Sequence, residues 1–216
     1  MKYKAILFDM DGTVLDTLGD LTDAINHTMR EFNMPEHTMA EAASYLGNGP
    51  AYLIAHAVPE GTAPELTEQV LACYVPYYNA HCQIKTGPFE GIVEMMEKLR
   101  AQGKKLAVIS NKQDSAVKPL AERYFPGLLE IAVGDSPTVR RKPAPDTVLA
   151  ALEFLGVDKA DAVYVGDTEV DVATAKNADM DIAGVTWGFR TKEQVIAAGA
   201  ENVFDTVDEL CEFLMK

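Results

Sequence analysis

The fold of this chain is decided near its N-terminus by the stretch Tyr3-Lys4-Ala5-Ile6-Leu7-Phe8-Asp9-Met10-Asp11-Gly12-Thr13. A short apolar run is stopped there by two aspartates and a glycine, which predicts a buried strand over residues 3–8 that runs into a turn. An isolated strand is not stable in water, so this one must pair with strands that come later in the sequence.

From residue 87 onward, short apolar runs alternate with longer amphipathic stretches. The runs predict strands over residues 106–109, 129–133, 162–165, 182–185 and 202–204. The stretches predict helices over residues 92–102, 115–124, 145–155, 170–178, 192–198 and 207–215. This alternation is typical of right-handed crossovers and of a parallel sheet with helices on both faces. The predicted fold class is therefore α/β, with a Rossmann-like doubly wound core that includes the first strand.

Residues 17–84 have a different pattern, in which no strand is predicted. Amphipathic stretches predict helices over residues 18–32, 39–46, 51–58 and 66–81, separated by turn signals such as Gly47-Asn48-Gly49-Pro50. We therefore expect two domains: an α/β core formed by residues 1–16 and 85–216, and an inserted all-helical cap formed by residues 17–84.

Charge restricts the partners of this protein. The 216 residues include 33 Asp and Glu against 19 Lys and Arg, which gives a formal net charge of −14. Nucleic acids and anionic membrane surfaces are both bound through Lys and Arg, so neither is an expected partner. No stretch approaches 18 consecutive apolar residues, so we expect no membrane span. A small molecule remains the expected ligand.

The first residues and the cysteines predict a cytoplasmic location. A signal peptide needs an apolar region of roughly 7–15 residues, whereas the N-terminal apolar run covers only residues 5–8. Cys73, Cys82 and Cys211 are too few and too scattered for a disulfide framework, and no C-x-x-C spacing occurs. We expect three reduced thiols.

Polar side chains follow four of the predicted strands. They are Asp9 and Asp11; Ser110, Asn111 and Lys112; Asp135 and Ser136, with Lys142 further along; and Asp167, with Asp171 one turn later. A single aspartate after a strand is more often a turn residue or a helix cap than a functional group. Because ligands of open parallel sheets bind at the carboxyl ends of the strands, their convergence on one edge predicts a site there.

The carboxylates of Asp9, Asp11, Asp167 and Asp171 would lie close together at this edge. Like charges at such spacing raise one another's pKa or hold a cation. Only oxygen ligands are offered, with no His or Cys nearby, and this favours a hard metal such as Mg²⁺ over zinc. Two aspartates separated by one residue suit a division of work between a nucleophile and an acid–base group.

Lys142 and Ser110 add a positive charge and a hydroxyl, which are groups that grip a phosphoryl group. The backbone N–H groups of Ser110 and Asn111, at a predicted helix start, could bind an anion. No P-loop, dinucleotide fingerprint, G-x-S-x-G elbow or H-E-x-x-H motif occurs in the sequence. The residues alone therefore favour metal-assisted phosphoryl chemistry.

The chain resembles the haloacid dehalogenase-like hydrolase superfamily, and within it the phosphoglycolate phosphatase-like branch. Four motifs occur in the order of that family: Asp9-Met10-Asp11-Gly12-Thr13-Val14-Leu15-Asp16-Thr17, Ser110-Asn111-Lys112, Lys142-Pro143 and Gly166-Asp167-Thr168-Glu169-Val170-Asp171. The resemblance covers the whole chain, and the helical insert is similar to the cap of that family.

The resemblance implies roles for the four aspartates. Asp9 would attack phosphorus and form an aspartyl-phosphate. Asp11 would protonate the leaving oxygen and then take a proton from the hydrolytic water. Mg²⁺ would lie between Asp9, the backbone carbonyl of Asp11 and Asp167, with Asp171 as a ligand or directly behind the ligands. A carboxylate at position 11 distinguishes the phosphatases of this superfamily from its dehalogenases.

The resemblance also implies the groups that bind substrate. Ser110 and Lys142 would hold phosphoryl oxygens, and Lys142 would offset the charge of Asp9. Asn111 and Thr13, which lie in the second and first motifs, are further candidates for substrate binding.

Substrate specificity in this branch comes from the cap. Its loop over residues 46–50 resembles the segment that reaches the site, so Gly47, Asn48 and Gly49 are candidate substrate-binding residues. Residues 17–84 contain eight acidic side chains and one basic side chain, Arg30. The backbone N–H groups of this loop are therefore the means by which the cap could grip a second anion.

The expected function is a Mg²⁺-dependent phosphatase for a small phosphomonoester, with 2-phosphoglycolate as the first candidate substrate. A pyrophosphatase, a 5′-nucleotidase, a sugar-phosphate phosphatase and a phosphomutase remain open within the same chemistry. A catalytically silent binding or regulatory protein is the alternative from another class. Both a monomer and a homodimer are compatible with the sequence.

Overall fold

Eight strands form two sheets in this protein, as shown by a computed structural model that describes residues 2–216. The strands are β1 (Ala5–Phe8), β2 (Leu15–Asp16), β3 (Gly87–Pro88), β4 (Lys105–Gln113), β5 (Ile131–Asp135), β6 (Ala162–Gly166), β7 (Asp181–Val185) and β8 (Asn202–Phe204). Six of them form one sheet in the order β5-β4-β1-β6-β7-β8, and every neighbouring pair in it is parallel. The strands β2 and β3 form a separate antiparallel pair.

Ten α-helices connect or follow these strands within residues 2–216. They are α1 (Leu18–Glu31), α2 (Met39–Ser44), α3 (Gly49–Ala57), α4 (Pro64–His81), α5 (Ile92–Ala101), α6 (Asp114–Tyr124), α7 (Asp146–Leu155), α8 (Glu169–Asn177), α9 (Lys192–Ala198) and α10 (Val207–Leu214). A short 3₁₀ helix covers Lys159–Asp161. Among the helices of residues 2–216, none combines the length and the apolar character needed to cross a membrane.

The strand β1 is central because it pairs with β4 on one side and with β6 on the other. Ile6 and Phe8 belong to the apolar cluster on one face of the sheet, together with residues of α5, α6 and α10. Ala5 and Leu7 belong to the cluster on the opposite face, together with residues of α7 and α8. Burial on both faces explains why β1 is apolar throughout instead of alternating, and it confirms the predicted doubly wound α/β core.

The helices α1–α4 lie between β2 and β3 in the sequence and share an apolar cluster of their own. Its buried members include Ile25 and Met29 of α1, Ile54 of α3 and Tyr74 of α4. This second cluster explains why residues 18–81 show the helical period without a strand pattern.

Most element boundaries lie within one or two residues of the predicted ones, and the differences that concern the site or the sheet are in β4, in β5 and in the pair β2 and β3. The strand β4 continues to Gln113, so residues 110–112 lie in the strand and not at a helix start; the prediction of a helix start there is wrong. The pairing of β4 with β5 is irregular between Ile109 and Gln113. The polar residues at this point of the sequence do not indicate that the strand continues through them. The strand β5 begins at Ile131 instead of residue 129, and the two-residue strands β2 and β3 are too short to show any period.

The two connections to the helical insert are joined by one buried carboxylate. Asp20, in the first turn of α1, accepts hydrogen bonds from the backbone N–H groups of Ile84, Lys85 and Thr86 at 2.9–3.0 Å. The hydroxyl of Tyr124 in α6 donates to the carbonyl of Thr86 at 2.6 Å. These bonds hold the returning chain against the outgoing one before it enters β3.

We expect Asp20→Ala to lower the free energy of unfolding by about 2–4 kcal/mol, because three backbone donors lose a charged acceptor. Asp23→Ala is the matched control, since Asp23 forms only an exposed ion pair with Lys85 at 2.6 Å, and it should change stability by less than about 1 kcal/mol. Urea denaturation measures both. Equal effects of the two variants would contradict the structural importance of Asp20.

Candidate active site

Three aspartates meet at the carboxyl ends of β1 and β6. Asp9 follows β1, Asp167 follows β6, and Asp171 lies in the first turn of α8. One carboxylate oxygen from each lies within 4.8 Å of the other two, and all three residues are buried. The structure therefore brings together three of the four carboxylates that the sequence predicted; the side chain of Asp11 is not in this cluster.

One lysine is paired with two of these carboxylates. The Nζ atom of Lys142 lies 2.8 Å from Oδ1 of Asp9 and 2.8 Å from Oδ1 of Asp171. It also donates to the hydroxyl of Tyr164 at 3.1 Å. Burial alone would lower the pKa of Lys142, but the charges of Asp171 and Asp9 outweigh it and raise this pKa well above its usual range. Lys142 is therefore a permanent cation next to Asp9.

The buried cluster has a surplus of negative charge. Burial, followed by the charge of Asp171, raises the pKa of Asp9 to about 7. The same two causes, with the charge of Asp9 in addition, raise the pKa of Asp167 well above its usual range. With all three carboxylates ionised, the single ammonium would leave a net charge of −2 in a buried volume. Oxygen-only donors with this charge fit a hard divalent cation such as Mg²⁺.

Hydrogen bonds orient the carboxylate of Asp167. The hydroxyl of Thr13 donates to Oδ1 at 2.8 Å, and the backbone N–H of Phe189 donates to Oδ2 at 2.7 Å. Gly12 has a φ of +83°, and a Cβ atom at this position would overlap the Asp167 carboxylate. Thr13, a predicted substrate-binding residue, thus contacts Asp167 in this structure.

Asp171 is held on both of its carboxylate oxygens. Oδ1 contacts Lys142, and Oδ2 accepts from the backbone N–H of Thr168 at 3.0 Å and from its hydroxyl at 2.7 Å. The bond from the backbone N–H of Thr168 is part of the capping box of α8. Asp171 therefore orients Lys142 in addition to contributing charge to the cluster.

The side chain of Asp11 faces a different partner. Its Oδ1 atom lies 2.7 Å from the Nζ atom of Lys112, in an ion pair whose lysine side chain is only 5% exposed. The same ammonium lies 4.6 Å from the ring centre of Tyr78, which belongs to α4. The sequence does not predict a site role for Lys112, although this residue lies in the second motif, because no local pattern indicates that its ammonium contacts Asp11.

A cleft with a cavity volume of about 60 Å³ opens between the helical insert and the edge of the sheet. The predicted site residues Asp9, Asp11, Gly47, Gly49, Ser110 and Asn111 line it. Asn48 begins α3 as its N-cap residue and is not among the lining residues. Because one water needs about 10–15 Å³, the cleft has room for several waters or a small ligand.

The loop at residues 46–50 is anchored to the core by two side chains. Asn111 donates through Nδ2 to the carbonyls of Gly47 at 2.9 Å and Lys142 at 3.0 Å. Arg190, which also pairs with Glu169, donates to the carbonyls of Ala43 at 2.9 Å and Leu46 at 3.0 Å. The amide hydrogens of Asn111 are thus engaged with the protein, and its predicted contact with substrate stays a prediction.

Comparison with known proteins places the four motifs in a family. The model of the haloacid dehalogenase-like hydrolases matches residues 6–185. A phosphoglycolate phosphatase from Rhodospirillum rubrum is 31% identical over 220 residues, a match that covers 98% of this chain and 90% of the relative. Phosphoglycolate phosphatase 1 from Pseudomonas aeruginosa is 29% identical over 217 residues, with 96% and 78% covered.

A crystal structure gives the same result for the fold. A protein from Lactobacillus delbrueckii subsp. bulgaricus, provisionally named a phosphoglycolate phosphatase, superposes with a TM-score of 0.95 at 39% identity, and 99% of each chain is covered. These similarities confirm the resemblance predicted from the motifs, together with the α/β fold and the phosphoric monoester hydrolase class that it implies.

We expect the metal-free protein to lose stability as the pH rises from about 4 to about 7. Asp9 ionises near 3.8 in the unfolded chain and near 7 in the folded one, so the unfolded state releases this proton first and is favoured by rising pH. Asp9→Asn removes the titrating group. Between pH 4 and pH 8, the free energy of unfolding of Asp9→Asn should therefore rise by up to about 4 kcal/mol relative to that of the unaltered protein.

Urea denaturation in the presence of a chelator measures this difference, with Asp208→Asn on the exposed side of α10 as the control. The free energy of unfolding of this control should change with pH in the same way as that of the unaltered protein. A difference between Asp9→Asn and the unaltered protein that stays constant with pH would contradict the raised pKa of Asp9.

Proposed function

This chain belongs to the haloacid dehalogenase-like hydrolase family, and we propose that it is a Mg²⁺-dependent phosphatase that hydrolyses 2-phosphoglycolate. The observation that carries this proposal is the arrangement around Asp9. Its buried carboxylate lies against the ammonium of Lys142 and within 4.8 Å of Asp167 and Asp171, and Asp9 lines the cleft.

Asp9 is the proposed nucleophile. Its carboxylate oxygen attacks phosphorus, the bond between phosphorus and the leaving oxygen breaks, and Asp11, in its protonated form, gives its proton to that oxygen. Asp11 then takes a proton from a water molecule, whose oxygen attacks the phosphorus of the aspartyl-phosphate and releases inorganic phosphate. Both aspartates line the cleft, so both reach the same ligand.

Mg²⁺ is the proposed cofactor, held by the carboxylates of Asp9 and Asp167 and the backbone carbonyl of Asp11, with Asp171 beside them. When bound, it would neutralise negative charge on the phosphoryl oxygens. The chain's own part is to orient this set: Thr13 and the backbone N–H of Phe189 hold Asp167. Lys142 keeps its charge beside Asp9.

The size and the lining of the cleft favour a small ester. Ser110 and Asp9 both line the cleft, and the hydroxyl of Ser110 and the charge of Lys142 are the proposed partners of the phosphoryl oxygens. A volume of about 60 Å³ favours a short alcohol over a nucleoside. The relatives named phosphoglycolate phosphatase support 2-phosphoglycolate in particular.

We also propose the remaining context of this activity. Residues 17–84 act as a cap over the site, with their loop at residues 46–50 next to the cleft. The location is cytoplasmic, which is supported by three free cysteines: Cys73, Cys82 and Cys211. The acidic surface favours a small ester over nucleic acid as the partner, in a monomer or a homodimer.

We expect the unaltered protein to release phosphate from 2-phosphoglycolate in the presence of Mg²⁺, and to lose this activity when a chelator is added. Asp9→Asn should lower kcat by at least about 10³-fold, because the nucleophile is removed. A colorimetric phosphate assay measures the rates on a panel that also contains pyrophosphate, a 5′-nucleotide and a sugar phosphate.

Mass spectrometry of the quenched reaction should detect one phosphoryl group on the unaltered protein and none on Asp9→Asn. Glu201→Gln, at an exposed position that does not line the cleft, is the control and should keep full activity. Undiminished activity of Asp9→Asn would sink the proposed mechanism, and a faster rate on another ester would replace the proposed substrate.

Saturating Mg²⁺ should raise the melting temperature of the unaltered protein by several degrees, because an ion that binds only the folded state stabilises it. At 100 times the dissociation constant, the gain is about 2.7 kcal/mol. Asp167→Asn should remove most of the shift, whereas Glu201→Gln should keep it. Differential scanning calorimetry at neutral pH measures the shifts, and an equal shift in Asp167→Asn would exclude Asp167 as a ligand.

A further inference from the structure

Lys112 is a buried cation whose hydrogen-bonding capacity is not filled by the protein. An ammonium carries three N–H donors. One is engaged by Oδ1 of Asp11 at 2.7 Å, and the face of the Tyr78 ring lies on another side of it. Within residues 2–216, no second oxygen accepts a hydrogen bond from this ammonium. A buried donor without an acceptor is costly, so the spare donors of Lys112 need an acceptor from a ligand.

Tyr78 provides a second unpaired donor at the same place. Tyr78 is only 5% exposed. Its hydroxyl has no hydrogen-bond partner among the described residues, and Tyr78 lines the cleft. Burial raises the pKa of this hydroxyl well above its usual range, so the group stays a neutral donor. Lys112 of β4 and Tyr78 of α4 thus both line this cleft, and each has a donor without an acceptor among the described residues.

The remaining wall of the cleft offers no other cation. On the side of the helical insert the lining is mainly apolar, and it includes Leu21, Leu46, Pro50, Leu53, Tyr74 and Val75. Lys112 is the one positively charged residue among those that line the cleft in the described chain. For a ligand that carries an anionic group besides its phosphoryl group, Lys112 is therefore the charged partner available in the lining of the cleft.

We propose that Lys112 and Tyr78 form a leaving-group subsite that binds a carboxylate on the alcohol part of the substrate. This subsite rests on the proposed phosphatase activity and deepens it, since it names the residues that select a carboxylated ester. The ammonium of Lys112 contacts one carboxylate oxygen, and the hydroxyl of Tyr78 donates to the carboxylate from the cap side.

The position of Lys112 determines which carboxylated esters fit. Asp11 must reach the leaving oxygen in order to protonate it, and Lys112 lies 2.7 Å from Asp11. A carboxylate separated from the leaving oxygen by a single carbon therefore falls next to Lys112. A longer alcohol would carry its carboxylate past this ammonium into the apolar wall. The subsite is thus matched to an ester of a 2-hydroxy acid.

The test compares two esters of equal carbon number, 2-phosphoglycolate and ethyl phosphate, which differ only in the carboxylate. The measured quantity is the preference, defined as kcat/KM for 2-phosphoglycolate divided by kcat/KM for ethyl phosphate. Tyr78→Phe removes one hydroxyl and leaves the ring under Lys112, so folding and the pair with Asp11 are preserved. We expect it to lower the preference roughly tenfold through KM, with ethyl phosphate unaffected.

Lys112→Met removes the charge and keeps most of the side-chain length, and we expect it to lower the preference roughly 100-fold. Lys118→Met is the matched control, since Lys118 is an exposed lysine of α6 paired with Asp114, and its preference should equal that of the unaltered protein. Calorimetric binding of 2-phosphoglycolate to Asp9→Asn and to Asp9→Asn/Tyr78→Phe adds a readout that does not depend on turnover. The second variant should bind roughly tenfold more weakly.

The possible failures are distinguishable. If Lys112→Met lowers the rates on both esters by the same factor, Lys112 acts only through Asp11, and the subsite is refuted. An unchanged preference in Tyr78→Phe refutes the part assigned to Tyr78. If the unaltered protein turns over ethyl phosphate as well as 2-phosphoglycolate, the subsite fails while the phosphatase stands. If it turns over neither ester, the proposed function fails and the subsite fails with it.

Discussion

Buried negative charge at the carboxyl edge of the sheet is the constraint on which the rest of the site depends. Asp9, Asp167 and Asp171 lie within 4.8 Å of one another, and among residues 2–216 only the ammonium of Lys142 is paired with members of this cluster. Desolvated like charges repel strongly, so the arrangement persists only because each carboxylate has fixed partners. Thr13 and a backbone N–H group hold Asp167. The surplus charge is a feature that a divalent cation would remove.

The helical insert meets this edge through a small number of polar contacts that have different consequences. Asn111 and Arg190 fasten the carbonyls of the loop that precedes α3, which keeps the loop next to the cleft. Asp20 joins the two connections of the insert through three backbone donors. Tyr78 supplies the contact with Lys112. The contacts of Asn111, Arg190 and Asp20 position the insert. Tyr78 and Lys112 instead line the cleft between the insert and the edge of the sheet.

Most of the fold was predictable from the sequence, because its signals are local and strong. The run at residues 5–8 is apolar at every position, as expected for a strand buried on both faces, and α9 and β8 begin and end at the predicted residues. The errors occur where local pattern and tertiary pairing disagree. Residues 110–112 are polar and read as a turn, but β4 continues through them toward its pairing of Gln113 with Asp135. The strands β2 and β3 have two residues each, too few for a period.

The sequence by itself determined the class of fold, the edge of the sheet where the site lies and three of the four carboxylates predicted to cluster there, because hydrophobic period and strand-end residues are properties of short segments. The tertiary structure alone decided the partners. Lys112 contacts Asp11, which lies 101 positions earlier in the sequence. Lys142 contacts both Asp9 and Asp171, which lie in separate parts of the sequence. The ring of Tyr78, in the insert, lies against the ammonium of Lys112. Such pairs depend on how distant segments pack. The charge and the hydroxyl that face the leaving group therefore cannot be found from local sequence, even when every residue involved lies in a motif or a helix that the sequence does reveal.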